Sequence, residues 1–164
     1  MPRVPFDALP DDSRLWVFPV PDPLEPGQVD TLLRTVEDFL HGWAAHGAPL
    51  TAGYSWEEDR FLLVAVDQAS VPPSGCSIDS MVRVLKELEG SLGQRIVDHG
   101  PVYYRDSAGE VHRLSRKEFR AAGQAGSVTP ETPVFDSTLT DLGAFRAGRL
   151  EVPARESWHG AVFF

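Results

Sequence analysis

Cysteine is almost missing: Cys76 is the single one in the chain, so no intramolecular disulfide can form. That fits a reducing compartment. The proline-rich stretch from Met1 to Pro10 lacks the apolar centre of a signal peptide, so a cytoplasmic location is the expectation. No apolar run approaches the ~18 residues that span a bilayer, which argues against a membrane partner. Basic charge is scarce as well. Lys and Arg number 15 against 24 Asp and Glu, a formal net charge of -9, and the densest basic cluster is Arg113, Arg116, Lys117 and Arg120. Nucleic acids are held largely by counterion release from basic faces, so they are not an expected partner.

Motifs are absent too. There is no G-x-x-x-x-G-K-[ST], which excludes a Walker-type phosphate loop. G-x-S-x-G, C-x-x-C and H-E-x-x-H are missing, so a nucleophile elbow, a dithiol centre and a zincin site have no support. One residue too many separates Cys76 from Arg83 for a cysteine-phosphatase loop, and Gly75 stands where that loop carries histidine. No cofactor is implied.

What is present reads as globular. Hydrophobic residues make up 42% and charged residues 24% of 164 residues, the composition and size of one domain. Arg14 to Val20 reads as a strand, with Pro19 marking an edge or a frayed end. Pro26 to Ala45 reads as a helix. Pro26 suits a first helical position, and Val29, Leu32, Leu33, Val36, Phe39, Leu40 and Trp43 form one apolar stripe. His46 continues the spacing and Gly47 stops it. Leu50 to Trp56 and Arg60 to Asp67 read as paired strands around Glu57, Glu58 and Asp59. The second is apolar throughout, as a central strand is. Ser77 to Glu89 reads as a second helix ended by Gly90 and Gly93, and Arg95 to Asp98 as a fourth strand.

Strand, helix, strand, strand, helix, strand is the ferredoxin-like βαββαβ pattern, an α+β fold with both helices on one face of an antiparallel sheet. Residues 13–98 form this core and residues 1–12 a loose arm. Residues 99–164 read as an irregular extension. It holds a hairpin about Ser107-Ala108-Gly109, a short helix from Ser115 to Ala122 opened by a Ser115/Glu118 capping box, another from Thr138 to Arg146, and a docking tail with Trp158, Phe163 and Phe164.

Chemistry points to Cys76, in S-G-C-S-I-D at a helix start. Helix N-termini favour a thiolate, the nucleophilic and metal-binding form. The effect is worth about 0.3–1 kcal/mol, at best about 2, so it lowers a thiol pKa by about 1.5 at most. Asp79, in the same turn, opposes it. A reactive thiolate at pH 7 therefore needs a cation, most simply a histidine. Connectivity places the end of the first helix and the exit of the third strand at one rim, so His46 and the Asp67–Cys76 loop share it. His159 joins them if the tail docks there. Cys76, His46 or His159, and Asp67 or Asp79 then supply nucleophile, base and orienting acid for acyl or thiol transfer. The same side chains can ligate a divalent metal.

Each residue also has a plainer reading. A lone cysteine near a helix start is often a small buried hydrophobe. Ser74, Ser77 and Asp79 are ordinary capping residues, and His46 can offer its charge to the last helix carbonyls. Trp158 and His159 can anchor the tail. The rival to a chemical site is an interaction module, for a partner protein or for a second copy in a homodimer, that uses an open sheet face or the C-terminal aromatics.

W-A-A-H-G at Trp43 to Gly47, V-D at Val66 and Asp67, S-G-C-S-I-D at Ser74 to Asp79, P-V-F at Pro133 to Phe135 and S-W-H at Ser157 to His159 run through nearly the whole chain. In this order they resemble a family of small bacterial proteins of unknown function, often labelled ABC-transporter ATPase. The missing phosphate loop speaks against that label. The resemblance draws attention to His46, Cys76, Asp79 and His159, the polar residues within the shared motifs. After P-V-F the family carries paired asparagines, and here Asp136 and Ser137 stand instead.

Overall fold

In the computed structural model, which describes residues 3–69 and 71–164, the first half runs β1 (Arg14–Pro19), α1 (Pro26–Gly42), β2 (Ala44–Ala45), β3 (Ala48–Pro49), β4 (Ala52–Glu57), β5 (Phe61–Val66) and α2 (Gly75–Leu92). The second half runs β6 (Val102–Arg105), β7 (Val111–Leu114), α3 (Arg116–Gln124), β8 (Pro133–Phe135), α4 (Leu142–Arg146), β9 (Glu151–Pro153) and α5 (Trp158–Phe163). Among the described residues no helix is long and apolar enough to cross a membrane.

The chain is α+β with antiparallel sheets. β5 is central in a three-stranded sheet of order β1-β5-β4, and all six of its residues are buried. Its apolar run has a simple cause: alternate side chains enter different cores. Leu62, Val64 and Val66 pack with Leu32, Val36 and Leu40 of α1 and Met81, Leu85 and Leu88 of α2. Phe61, Leu63 and Ala65 pack on the other face with Tyr103 and Phe135.

The ferredoxin-like expectation needs correction at its last strand. Residues 95–98 form no strand. The Glu89 carboxylate reaches from α2 and accepts the N–H groups of Ile96 (2.7 Å) and Val97 (2.9 Å), the donors a ladder would use. The outer edge of β1, where a fourth strand would lie, instead meets the segment before α4: Leu15 N–H donates to Thr140 (2.9 Å), and Arg14 bridges to Asp141.

Nor is the extension irregular. It builds a second antiparallel sheet of order β7-β6-β8-β9, which stacks on the first through the Phe61 cluster. Val102 and Val134 point the other way, into a third core with Phe119 of α3 and Phe163 of α5. The layers are therefore helices, sheet, sheet, helices. Arg105 fastens the two sheets, pairing with Glu58 (2.9 Å) beyond β4 and Glu151 (2.6 Å) on β9. The arm is tied down as well: Val4 N–H donates to Ala52 (2.8 Å) and a 3-10 turn follows at Phe6–Ala8, while Met1 and Pro2 lie outside the described residues.

Helix ends shift for local reasons. α1 stops at Gly42, because Trp43 turns extended (φ -71°, ψ 129°) and buries its ring, donating its indole N–H to the Ser77 carbonyl (2.8 Å). His46 therefore lies on the β2–β3 turn, with His46 (φ 52°) and Gly47 (φ 79°) both left-handed, the backbone of a two-residue type I′ hairpin. α2 starts earlier than its apolar stripe. Ser74 and Ser77 cap each other reciprocally, and Gly93 (φ 72°), not Gly90, ends the helix. The Ser115/Glu118 capping box opens α3, and α4 is shorter than its predicted span, starting at the Asp141 cap.

Candidate functional site

The end of the first sheet where β1 begins and β5 stops carries several of the residues singled out above. Trp43 links the exit of α1 to the first turn of α2 through Ser77, and α2 packs against β2. Cys76 is the second residue of α2 and is exposed, so the buried-hydrophobe reading does not apply to it. His46 is exposed on its turn, and Asp79 is exposed one turn along α2. Asp67 is half-buried and shapes the loop: its N–H donates to Thr51 (2.9 Å) and its carboxylate accepts the N–H of Ala69 (2.9 Å). Among the described residues, no hydrogen bond or ion pair joins Cys76, His46, Asp67 and Asp79 to one another. No group of three His, Cys, Asp or Glu side chains is placed to hold a metal among the described residues.

His159 lies elsewhere. It belongs to α5, on the outer face of the second sheet, so two sheets stand between it and Cys76. Its ring is 2% exposed and stacks on Trp158 at 3.9 Å, with Phe119 and Phe163 about it. Nδ1 lies 2.7 Å from Ser157 Oγ, and that hydroxyl also caps the helix. Desolvation lowers the His159 pKa from 6.5 to about 4; Asp136 opposes the shift and Arg116 adds to it. Between these values the unfolded chain binds a proton that the folded chain refuses, so stability present above pH 6.5 is lost as pH falls toward 4. The loss is about 3 kcal/mol at most. Denaturant unfolding of the protein and of His159→Phe at pH 7 and pH 4 checks this: the native protein should lose stability relative to the variant. Equal losses would show that the histidine does not govern this pH window.

A cleft of about 240 Å³ opens along the outer edge of β1, between Arg14, Trp16 and Val17 on one side and His99 and residues 137–140 on the other. The Arg14 guanidinium lies over the Trp16 ring at 4.9 Å, and Trp16 rests on Trp43 with ring centroids 6.0 Å apart. Arg14 Nε is buried without a hydrogen-bond partner, and among the described residues Arg14 makes no salt bridge. His99 Nδ1 lies 3.2 Å from Ser137 Oγ. His99 is exposed at its edge, yet the protein packed about it lowers its pKa from the usual imidazole value, against the pull of Asp98. Asp136 holds Ser137 in place, accepting both the N–H (2.9 Å) and the hydroxyl (2.5 Å) of Thr138.

Other clefts are larger but differ in kind. The one beside Tyr104 and Asp106 is lined by charges already paired: Arg105 with Glu151, His112 with Asp106, Glu131 with Arg155. The groove at Asp79, Arg83 and Lys86 is an open face of α2. The β1 cleft combines a guanidinium unpaired among the described residues, an aromatic wall and the hydroxyl and imidazole of Ser137 and His99. Sequence reasoning missed Arg14, Trp16 and His99 because they come from separate segments and form no motif; Ser137 was visible only as the residue in an asparagine's place. No family model matches the chain, and neither the curated proteins nor the solved structures contain a match.

Proposed function

We propose that the protein binds a small organic molecule in the cleft along the edge of β1, at the rim that also carries Cys76. The observation that carries this reading is the convergence of Arg14, His99 and Ser137 on a pocket walled by Trp16, in the manner of ligand sites where few polar groups meet an apolar lining. Acyl or thiol transfer by Cys76 is the catalytic form of the same reading. It has less support, since the thiol has no imidazole partner among the described residues. Self-association through an open sheet face is also less supported, because helices or the opposing sheet cover the faces of both sheets.

A fragment screen read by two-dimensional NMR tests this. Hits should perturb the amides of residues 14–17, 99 and 137–140, and iodoacetamide modification of Cys76 should leave those perturbations in place. Hits that gather elsewhere, or no hits, would defeat the binding reading. Hits abolished by alkylation would restore the thiol to the centre of the site.

A further inference from the structure

We infer that the ligand of this cleft is a small organic monocarboxylate with a compact apolar body, and that Arg14 recognises its charge. The inference rests on the small-molecule reading above and adds the chemical class.

The argument starts from where the arginines find acceptors. Arg60 donates to three backbone carbonyls, Arg105 pairs with two carboxylates, and Arg3 pairs with Glu37. Arg14 is partly buried like Arg3 and Arg105, yet among the described residues its guanidinium has no acceptor; its Nε, like that of Arg3, is buried without a partner. The terminal amino groups of Arg14, at the cleft and without an acceptor among the described residues, offer the planar donor pair that a carboxylate fits bidentately.

Charge in the surroundings agrees. In a chain with 24 acidic residues against 15 basic ones, no Asp or Glu lines this cleft. The acids that flank it are engaged in backbone turns: Asp136 accepts from Thr138, and Asp141 caps α4 by accepting from Ala144 (2.8 Å). One guanidinium beside a histidine of lowered pKa matches one negative charge, whereas a phosphate monoester carries about two. Leu15, Val17, Leu139 and the Trp16 ring supply the apolar remainder. At about 240 Å³ the space is below the ~300 Å³ lower end of drug-sized pockets, which limits the body to a single ring or a short branched chain.

The test titrates the native protein with benzoate, cyclohexanecarboxylate and isobutyrate, each against its own primary amide, following tryptophan emission and the NMR signals of residues 14–17 and 137–140. At least one acid should bind tenfold or more tighter than its amide, and Arg14→Gln should remove the difference. If no acid outbinds its amide, or if the preference survives in Arg14→Gln, the carboxylate inference is overturned. Fragments that perturb these residues without charge preference would overturn it while leaving the small-molecule reading intact. If nothing perturbs them, both fall.

Discussion

Phe61→Ala should lower the unfolding free energy by about 3–5 kcal/mol, the largest single effect expected in this protein. Phe61 is fully buried at the start of the central strand, stacked on Phe135 with ring centroids at 4.6 Å and edge-on to Tyr103 at 5.5 Å. Both partners belong to the second sheet, so the ring joins the two halves of the chain within a cluster that also holds Leu15, Val17 and Leu63. Truncation removes its transfer energy and leaves a cavity that two stiff sheets cannot close. Urea denaturation followed by circular dichroism measures the loss. A cost under about 1 kcal/mol, the level of an exposed position, would mean that the sheets do not share this core.

Arg60→Met should cost about 2–4 kcal/mol. Arg60 is 6% exposed, and its guanidinium donates to the carbonyls of Val20 (3.0 Å), Val111 (3.1 Å) and Pro21. It thereby ties the end of β1 to β7, across the two sheets. Burial lowers its pKa from the ordinary arginine value, with Tyr103 and Asp22 opposing. Two effects compete in the substitution. Removing the charge relieves desolvation, and removing the donors leaves three carbonyls unsatisfied at about 1–3 kcal/mol each where no water replaces them. The carbonyls should win, because three acceptors lose their donor at once. Arg60→Lys, which keeps the charge but not the fork, should lose a smaller part. A neutral or stabilising Arg60→Met would reverse the assignment.

Periodicity read the helices and the central strand well, because each buries a stripe whose spacing is written locally. The uninterrupted run from Phe61 to Val66 marks a strand buried on both faces, and it is one. Capping chemistry is local too, so the Ser115/Glu118 start of α3 was legible. What failed depended on contacts distant in sequence. Trp43 extends the α1 stripe on paper, but its indole is claimed by Ser77. Ile96 and Val97 look like strand residues until Glu89 takes their amides. β8 and β9 have three residues each, too few for a period to show. For the candidate site the limit is the same. A helix start made Cys76 conspicuous, whereas the cleft joins β1, His99 and residues 137–140, which nothing in a linear reading brings together. His159 looked available because histidine is polar; Trp158, Phe119 and Phe163 enclose it.

The carboxylate of Glu89 has an effect beyond its own two hydrogen bonds. A βαββαβ sheet completes itself by laying its last strand beside its first, which would fill the space next to Arg14 and Trp16 with backbone. By holding residues 96 and 97 at the helix end, Glu89 keeps them from that berth; the segment before α4 pairs with only part of the β1 edge, and a hollow walled by Trp16 remains beside it. The cleft is thus a by-product of an unfinished sheet.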